Sequence, residues 1–190
     1  MILLRLYLLS GLIVHKLLWE VLKRGNRNAP APRSGTVPLQ LRLVKAVKVS
    51  ILLGLAVQTV LPTVLPLAEE PALVVTIGLA LYSLGLLTAI ASRVALADNW
   101  SDIEDARMLG NQKVVSRGLY RYVRHPIYVG DLLLLLGFEL SLNSWLVLGV
   151  VLLIPVVLMK AIQEERTLMN SLPGYALYCA RTKRFIPFVV

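Results

Sequence analysis

The chain has 190 residues, 57% of them hydrophobic, and a mean hydropathy of +0.71, an apolar excess that needs lipid as its solvent and excludes an ordinary water-soluble enzyme. The formal net charge of +9 fits basic loops facing anionic lipid and the cytoplasm better than nucleic acid, because no soluble segment remains to display a basic face. A single cysteine, Cys179, excludes an internal disulfide, and without a second Cys or clustered His around it no metal site is expected.

An all-α, polytopic membrane fold follows, with about five crossings near residues 2–22, 49–68, 72–94, 127–142 and 145–162, since a helix needs roughly 20 apolar residues to cross the hydrocarbon. The first run is too long for a signal-peptide core, is interrupted by His15 and Lys16, and ends in Trp19-Glu20 without a small-residue cleavage site. His15 and Lys16 are expected to lie at the interface or to snorkel towards it. Lys23, Arg24, Arg27, Arg33, Arg42, Lys45 and Lys48 follow with no acidic residue among them, which holds this loop in the cytoplasm and puts the amino terminus outside and the carboxyl terminus inside.

Ala29-Pro30-Ala31-Pro32 reads as an extended linker, and Pro38 is suited to start the second helix. Pro62, Pro66 and Pro155 are expected to bend their helices. Glu69-Glu70-Pro71 and residues 141–144 are short enough only for tight antiparallel turns. On the third crossing, Gly78 and Gly85 permit close helix contact; the oligomeric state is left open. Residues 98–117, with the turn signal Gly110-Asn111, read as a short folded connector against the membrane.

The unusual chemistry lies at the cytoplasmic ends of the last two crossings. Pro126 biases His125 away from helical geometry and is itself suited to a first helical turn, so the imidazole sits at a helix start. Free backbone donors and the positive end of the helix dipole favour an anionic group there, and Tyr128 adds a hydroxyl and a ring face one turn on. Glu164 and Glu165 end the fifth crossing, with Lys160 on the same face as Glu164. The hairpin of the last two crossings returns these acids to the side of His125. Asp131, an acid about one turn inside a membrane helix, is costly unless it faces protein or water, and Arg124 is its expected partner. Glu139 is expected to reach water at the outer interface, and Tyr175 and Tyr178, in the cytoplasmic tail, to be interfacial anchors as aromatic residues often are.

Three ordered motifs, Val115-Ser116-Arg117-Gly118-Leu119-Tyr120-Arg121-Tyr122-Val123-Arg124-His125-Pro126-Ile127-Tyr128-Val129-Gly130, then Glu164-Glu165-Arg166-Thr167-Leu168, then Gly174-Tyr175, Tyr178 and Arg181 to Pro187, resemble the isoprenylcysteine carboxyl methyltransferase family, a relative of the membrane phospholipid N-methyltransferases. The resemblance spans residues 72–190, a methyltransferase core, and leaves residues 1–71 as a two-helix membrane segment without such a signal. It implies S-adenosylmethionine bound at the cytoplasmic face by a small helical membrane fold, and the chain has no glycine-rich strand-turn-helix fingerprint.

By position, the resemblance implies cofactor contacts at Gln112, Lys113, Val114, Val115, Tyr120, His125, Pro126, Ile127, Tyr128, Glu164 and Glu165. Many relatives carry His where this chain has Gln112, and carboxyl-methylating relatives usually carry Arg where it has Lys160. With a carboxylate acceptor, which is favoured, Lys160 and Arg124 would position and neutralise the substrate anion; with an amine, Asp131, His125 or a glutamate becomes the candidate base. The substrate is expected to be a lipophilic small molecule or lipidated chain with a polar reactive head, entering from membrane lipid. Competing readings are an amine or phospholipid N-methyltransferase, a sterol-reductase-like enzyme using NADPH, and a non-catalytic lipid-binding subunit.

Overall fold

The computed structural model describes residues 2–24, 39–61, 66–99 and 113–187. The described residues form α1 (Ile2–Arg24), α2 (Leu39–Val60), α3 (Ala72–Leu96), α4 (Pro126–Ser141), α5 (Val147–Ser171) and α6 (Tyr175–Arg181). Single 3-10 turns at Ala97–Asn99 and Gly118–Arg121 flank the segment between α3 and α4. The strand content among the described residues is two isolated bridges, Pro66 with Ser144 and Val123 with Lys183.

Three helices, α1, α3 and α5, are long and apolar enough to cross a membrane. Helices of this length and composition belong to an integral membrane protein. The other two expected crossings are shorter. The apolar part of α2 is Ala46–Val60, and the 16 residues of α4 span about 24 Å against a hydrocarbon core of about 30 Å.

The α3/α4 pair is the centre of the fold, and small residues seven positions apart explain it. A methyl group added at Gly78 would run into the backbone of Leu140 and Ser141, and one at Gly85 into that of Gly130 and Leu134. From the other side, Gly130 meets the backbone of Ala89, and Gly137 that of Gly78 and Tyr82. The two helices thus run antiparallel in backbone contact, where dispersion over a long shared seam replaces the hydrophobic drive that lipid removes. Gly78 and Gly85 therefore serve a contact within the chain.

Tyr82 ties α1 to this pair. Its hydroxyl donates to the carbonyl of Leu8 at 2.5 Å, its ring lies over Gly11 where no side chain would fit, and it packs with Leu8, Leu12, Leu55, Leu134, Phe138 and Leu142.

The sequence expectations differ from the structure at several polar and proline positions. Helix α2 ends at Val60, so the stretch expected up to residue 68 stops short; Pro66 lies outside any helix, and Pro62 lies outside the described residues, as do Pro38, the Ala29–Pro32 linker and Gly110-Asn111. Pro155 does lie inside α5. Glu139, expected to reach water, is buried and accepts a 2.8 Å hydrogen bond from Gln58 of α2, because a carboxylate enclosed by apolar helices needs a polar partner. At this same end the Arg5 guanidinium donates to the carbonyls of Thr59 and Val60. Asn143 exchanges two hydrogen bonds with the backbone of Ala68, closing both hairpin turns against each other.

Candidate functional site

His125 occupies the position before the first turn of α4, with φ −122° and ψ 51°, and Pro126 opens the helix. The strand-like segment ahead of it is held from the carboxyl-terminal side. The amide of Arg124 donates to Lys183 at 2.8 Å, that of His125 to Arg184 at 3.1 Å, and that of Lys183 to Tyr122 at 3.1 Å. Thr182 at the end of α6 and the Tyr178 hydroxyl, which donates 2.8 Å to the carbonyl of Tyr120, complete the clip.

Glu165 is the hub behind this wall. Its buried carboxylate accepts from Arg124 Nε at 2.7 Å, from His125 Nε2 at 3.1 Å, and from Arg184 Nε and Nη2, the latter at 2.7 Å. Because a carboxylate only accepts, His125 Nε2 carries the proton. The Arg124 guanidinium also donates to the carbonyls of Cys179 and Thr182. Arg124 is thus committed to the frame of the site, and the expected Arg124 pairing with Asp131 does not form: Glu165 is nearer and offers two oxygens in a drier place. Hydrogen bonding to Glu165 in turn holds the Arg184 guanidinium above its ordinary range, with burial opposing it.

Glu164 turns the other way. Its Oε2 accepts from the Tyr128 hydroxyl at 3.1 Å and lies 3.8 Å from His125 Nδ1. The His125 ring is stacked on Tyr128, with 5.4 Å between centroids, and Phe185 covers it at 5.6 Å. In front of these groups lies a cavity of about 200 Å³. The site ends of all five long helices reach it: Trp19 from α1, Lys48 from α2, Leu96 from α3, Tyr128 from α4 and Glu164 from α5.

Of the residues expected from the sequence, Lys113, Val114, Val115, Tyr120, Arg124, His125, Ile127, Tyr128, Asp131, Lys160 and Glu164 line this one cavity. Glu165 and Pro126 are not on its wall; the first is consumed by its cationic partners and the second is buried in the helix start. Gln112 lies outside the described residues. Tyr175 and Tyr178 are not the interfacial anchors expected but buried members of the wall. Burial pushes the Tyr178 phenol up to about 12 and those of Tyr120 and Tyr175 further.

Trp19, Lys48, Arg184 and His15 belong to the site or its support although the sequence alone assigns them no part in it. The signals were weak: Trp19 and His15 are one turn apart on α1, and Arg184 stands within the last motif without an assigned partner. His15 is not a snorkelling side chain but bonds through Nε2 to Asp131 Oδ1 at 3.1 Å, and Trp19 stacks on it at 4.2 Å.

Cys179 lies against Leu172, Tyr175 and Val114 in a small apolar cluster. Burial pushes its thiol up, and although Arg124 opposes this, the net direction is upward. Less thiolate is then present at a given pH than for an exposed cysteine. N-ethylmaleimide at neutral pH is expected to label the native protein several-fold more slowly than the unfolded chain, read by intact-mass spectrometry; equal rates would place the thiol in the open.

Among the described residues no group of three or more His, Cys, Asp or Glu side chains is arranged to hold a metal ion. Residues 73–174, just over half of the chain, match the family described as phospholipid methyltransferase. The cobalt-zinc-cadmium resistance protein CzcN of Cupriavidus metallidurans is similar at 35% identity over 82 residues, which is 40% of this chain and 37% of that protein. The chain therefore spans well under two thirds of that relative's length.

Proposed function

Because this chain belongs to the phospholipid methyltransferase family, we propose that it transfers a methyl group from S-adenosylmethionine to the polar head of a lipophilic acceptor at a membrane surface. The observation that carries the reading is the meeting of Glu164, His125 and Tyr128 at one cavity beneath converging helix ends. The donor set suits this cofactor. Glu164 offers a carboxylate to an ammonium or to ribose hydroxyls, the start of α4 favours a carboxylate, Tyr120 and Tyr128 offer ring faces, and the backbone at Val114 and Val115 offers peptide groups to a base. When bound, the cofactor supplies an electrophilic methyl on a sulfonium, released as the carbon–sulfur bond breaks with its electrons on sulfur.

The protein's own part is alignment and exclusion of water, and orientation of this kind contributes roughly 7–11 kcal/mol. Glu165 with Arg124 and Arg184 fixes His125, and Tyr128 fixes Glu164. The basic loop after α1 supports a cytoplasmic site, with the amino terminus outside. A carboxylate acceptor, favoured by the resemblance, has Lys160 as its counter-charge, while Arg124 is occupied by Glu165. A neutral head that sheds a proton is a second reading, favoured by the bonded Asp131 on the same wall.

Calorimetry on detergent-purified protein is expected to detect S-adenosylhomocysteine, with binding at least about tenfold weaker in His125→Ala and Glu164→Ala, each of which removes a charge-assisted contact. Labelled methyl should pass from the donor to membrane extract, and mass spectrometry of the product identifies the acceptor atom. Binding of NADPH alone would replace this reading with a reductase, and binding of neither with a non-catalytic lipid-binding protein.

A further inference from the structure

Helix α1 lies before the segment that matches the family, yet it lines the cavity with Trp19 and bonds a cavity-lining acid through His15. His15 Nε2 bonds to Asp131 Oδ1 at 3.1 Å, with the imidazole side chain 20% exposed. Trp19, one turn further on the same helix, stacks against that imidazole at 4.2 Å with 25° between the planes, and its side chain lines the cavity. Since the aspartate only accepts, His15 Nε2 carries the proton of this bond and the tautomer is set. A charged residue inside a membrane protein that has a bonded partner and faces a cavity is expected to serve function rather than packing.

We propose that α1 completes the acceptor half of the site: His15 orients Asp131 so that its carboxylate removes a proton from a protic head, an ammonium, thiol or hydroxyl, while Trp19 walls that head against the lipid. The inference rests on the methyl-transfer reading and narrows its acceptor. An ionised carboxylate acceptor has no proton to give, and beside Asp131 it would meet a like charge; a protic head has one proton to lose, before attack for an ammonium and during attack for a thiol or hydroxyl. That proton passes from the acceptor to an Asp131 carboxylate oxygen, the acceptor lone pair forms the new bond to the methyl carbon, and the carbon–sulfur electron pair stays on sulfur. Charge is then conserved, with one cationic sulfonium consumed and one carboxylate protonated.

Asp131 is the group that touches the acceptor and His15 is a positioning residue. The charged and titratable groups around them are Lys48 of α2, Tyr128 of α4, Lys160 and Glu164 of α5, and Tyr120 ahead of α4, all lining the same cavity, with Arg93 of α3 acting on Tyr120.

The test uses the full chain in lipid nanodiscs with four variants: Asp131→Asn, His15→Ala, His15→Gln and Trp19→Leu. Three probes carry one alkyl chain and differ only in head: dodecylamine, dodecanethiol and dodecanoate. S-adenosylhomocysteine binding, measured by calorimetry, is expected to stay within about threefold of the parent in every variant, which shows an intact donor site apart from activity. Methyl transfer to the amine or thiol probe should exceed that to dodecanoate. Loss of a positioned base typically lowers rate by about 10²–10⁴-fold, so Asp131→Asn should fall in that range in kcat. His15→Ala should lower kcat with KM little changed, and His15→Gln, whose amide still donates to Asp131, should recover most of it. Trp19→Leu should raise KM for the probe. Equal or faster transfer to dodecanoate, or an Asp131→Asn variant with parental kcat, would overturn the inference while leaving the methyl-transfer reading in place. Failure of the parent protein to bind S-adenosylhomocysteine would instead remove the reading beneath it.

Discussion

Glu165→Ala is expected to destabilise the protein by about 3–5 kcal/mol, the range found when one partner of a buried ion pair is removed. The carboxylate is 5% exposed, and Arg124, which bonds it at 2.7 Å, is 11% exposed. Without the acid, the Arg124 guanidinium remains enclosed without its anion, the His125 ring keeps only Glu164 at 3.8 Å, and Arg184 loses all three of its hydrogen bonds to Glu165. In a protein of this size such a loss lowers the thermal midpoint by roughly 10 °C, measured by tryptophan fluorescence in detergent. Glu165→Gln retains an accepting oxygen but not the charge and should fall between. Glu164→Gln is the informative contrast, because Glu164 faces the cavity; it should weaken donor binding while moving the midpoint much less. If the two glutamates behaved alike in both measurements, the division between a framing acid and a contacting acid would be wrong.

Gly137→Leu is expected to be as damaging, for a different reason. The side chain would meet the backbone of Tyr82 and Gly78, and a backbone cannot swing aside as a flexible side chain does. Overpacking costs about 1–3 kcal/mol where neighbours can adjust; here α3 and α4 must separate, so the upper end or more is expected, with loss of detergent-extractable folded protein. Gly54 and Gly149 have open space where a side chain would go. Gly149→Ala should therefore be neutral or stabilising by up to about 1 kcal/mol through helix propensity. Size-exclusion profiles and thermal midpoints of the two glycine variants, compared side by side, check the packing account; a well-folded Gly137→Leu protein would refute it.

The helical character, the His-Pro helix start and the approach of the acids at 164 and 165 to His125 were legible in the sequence because each rests on a local rule. Proline restricts its neighbour, apolar runs need lipid, and a short hairpin returns a helix beside its predecessor. Pairings between distant helices were not legible. Asp131 was matched to Arg124 by helical spacing, yet its partner is His15, more than a hundred positions away. Glu139 was placed in water, yet Gln58 of another helix meets it. Tyr178 looked like an interfacial aromatic because its composition and setting are those of one; only the clip that brings α6 under Tyr120 makes it a buried donor. Periodicity reports which face of a helix is apolar, and it is silent on which neighbour that face will meet.

The clip between residues 122–125 and 183–184 bears on the order in which the protein matures. Helices inserted one after another during translation can pair as soon as they enter the bilayer, and the α3/α4 seam is available once residue 141 is in place. His125 and Glu165 gain their last ligand only when Arg184 has cleared the ribosomal tunnel. A nascent chain arrested before that point should be membrane-inserted and protease-resistant along its helices yet lack the finished wall of the cavity, so competence would arrive in a single late step rather than grow with chain length.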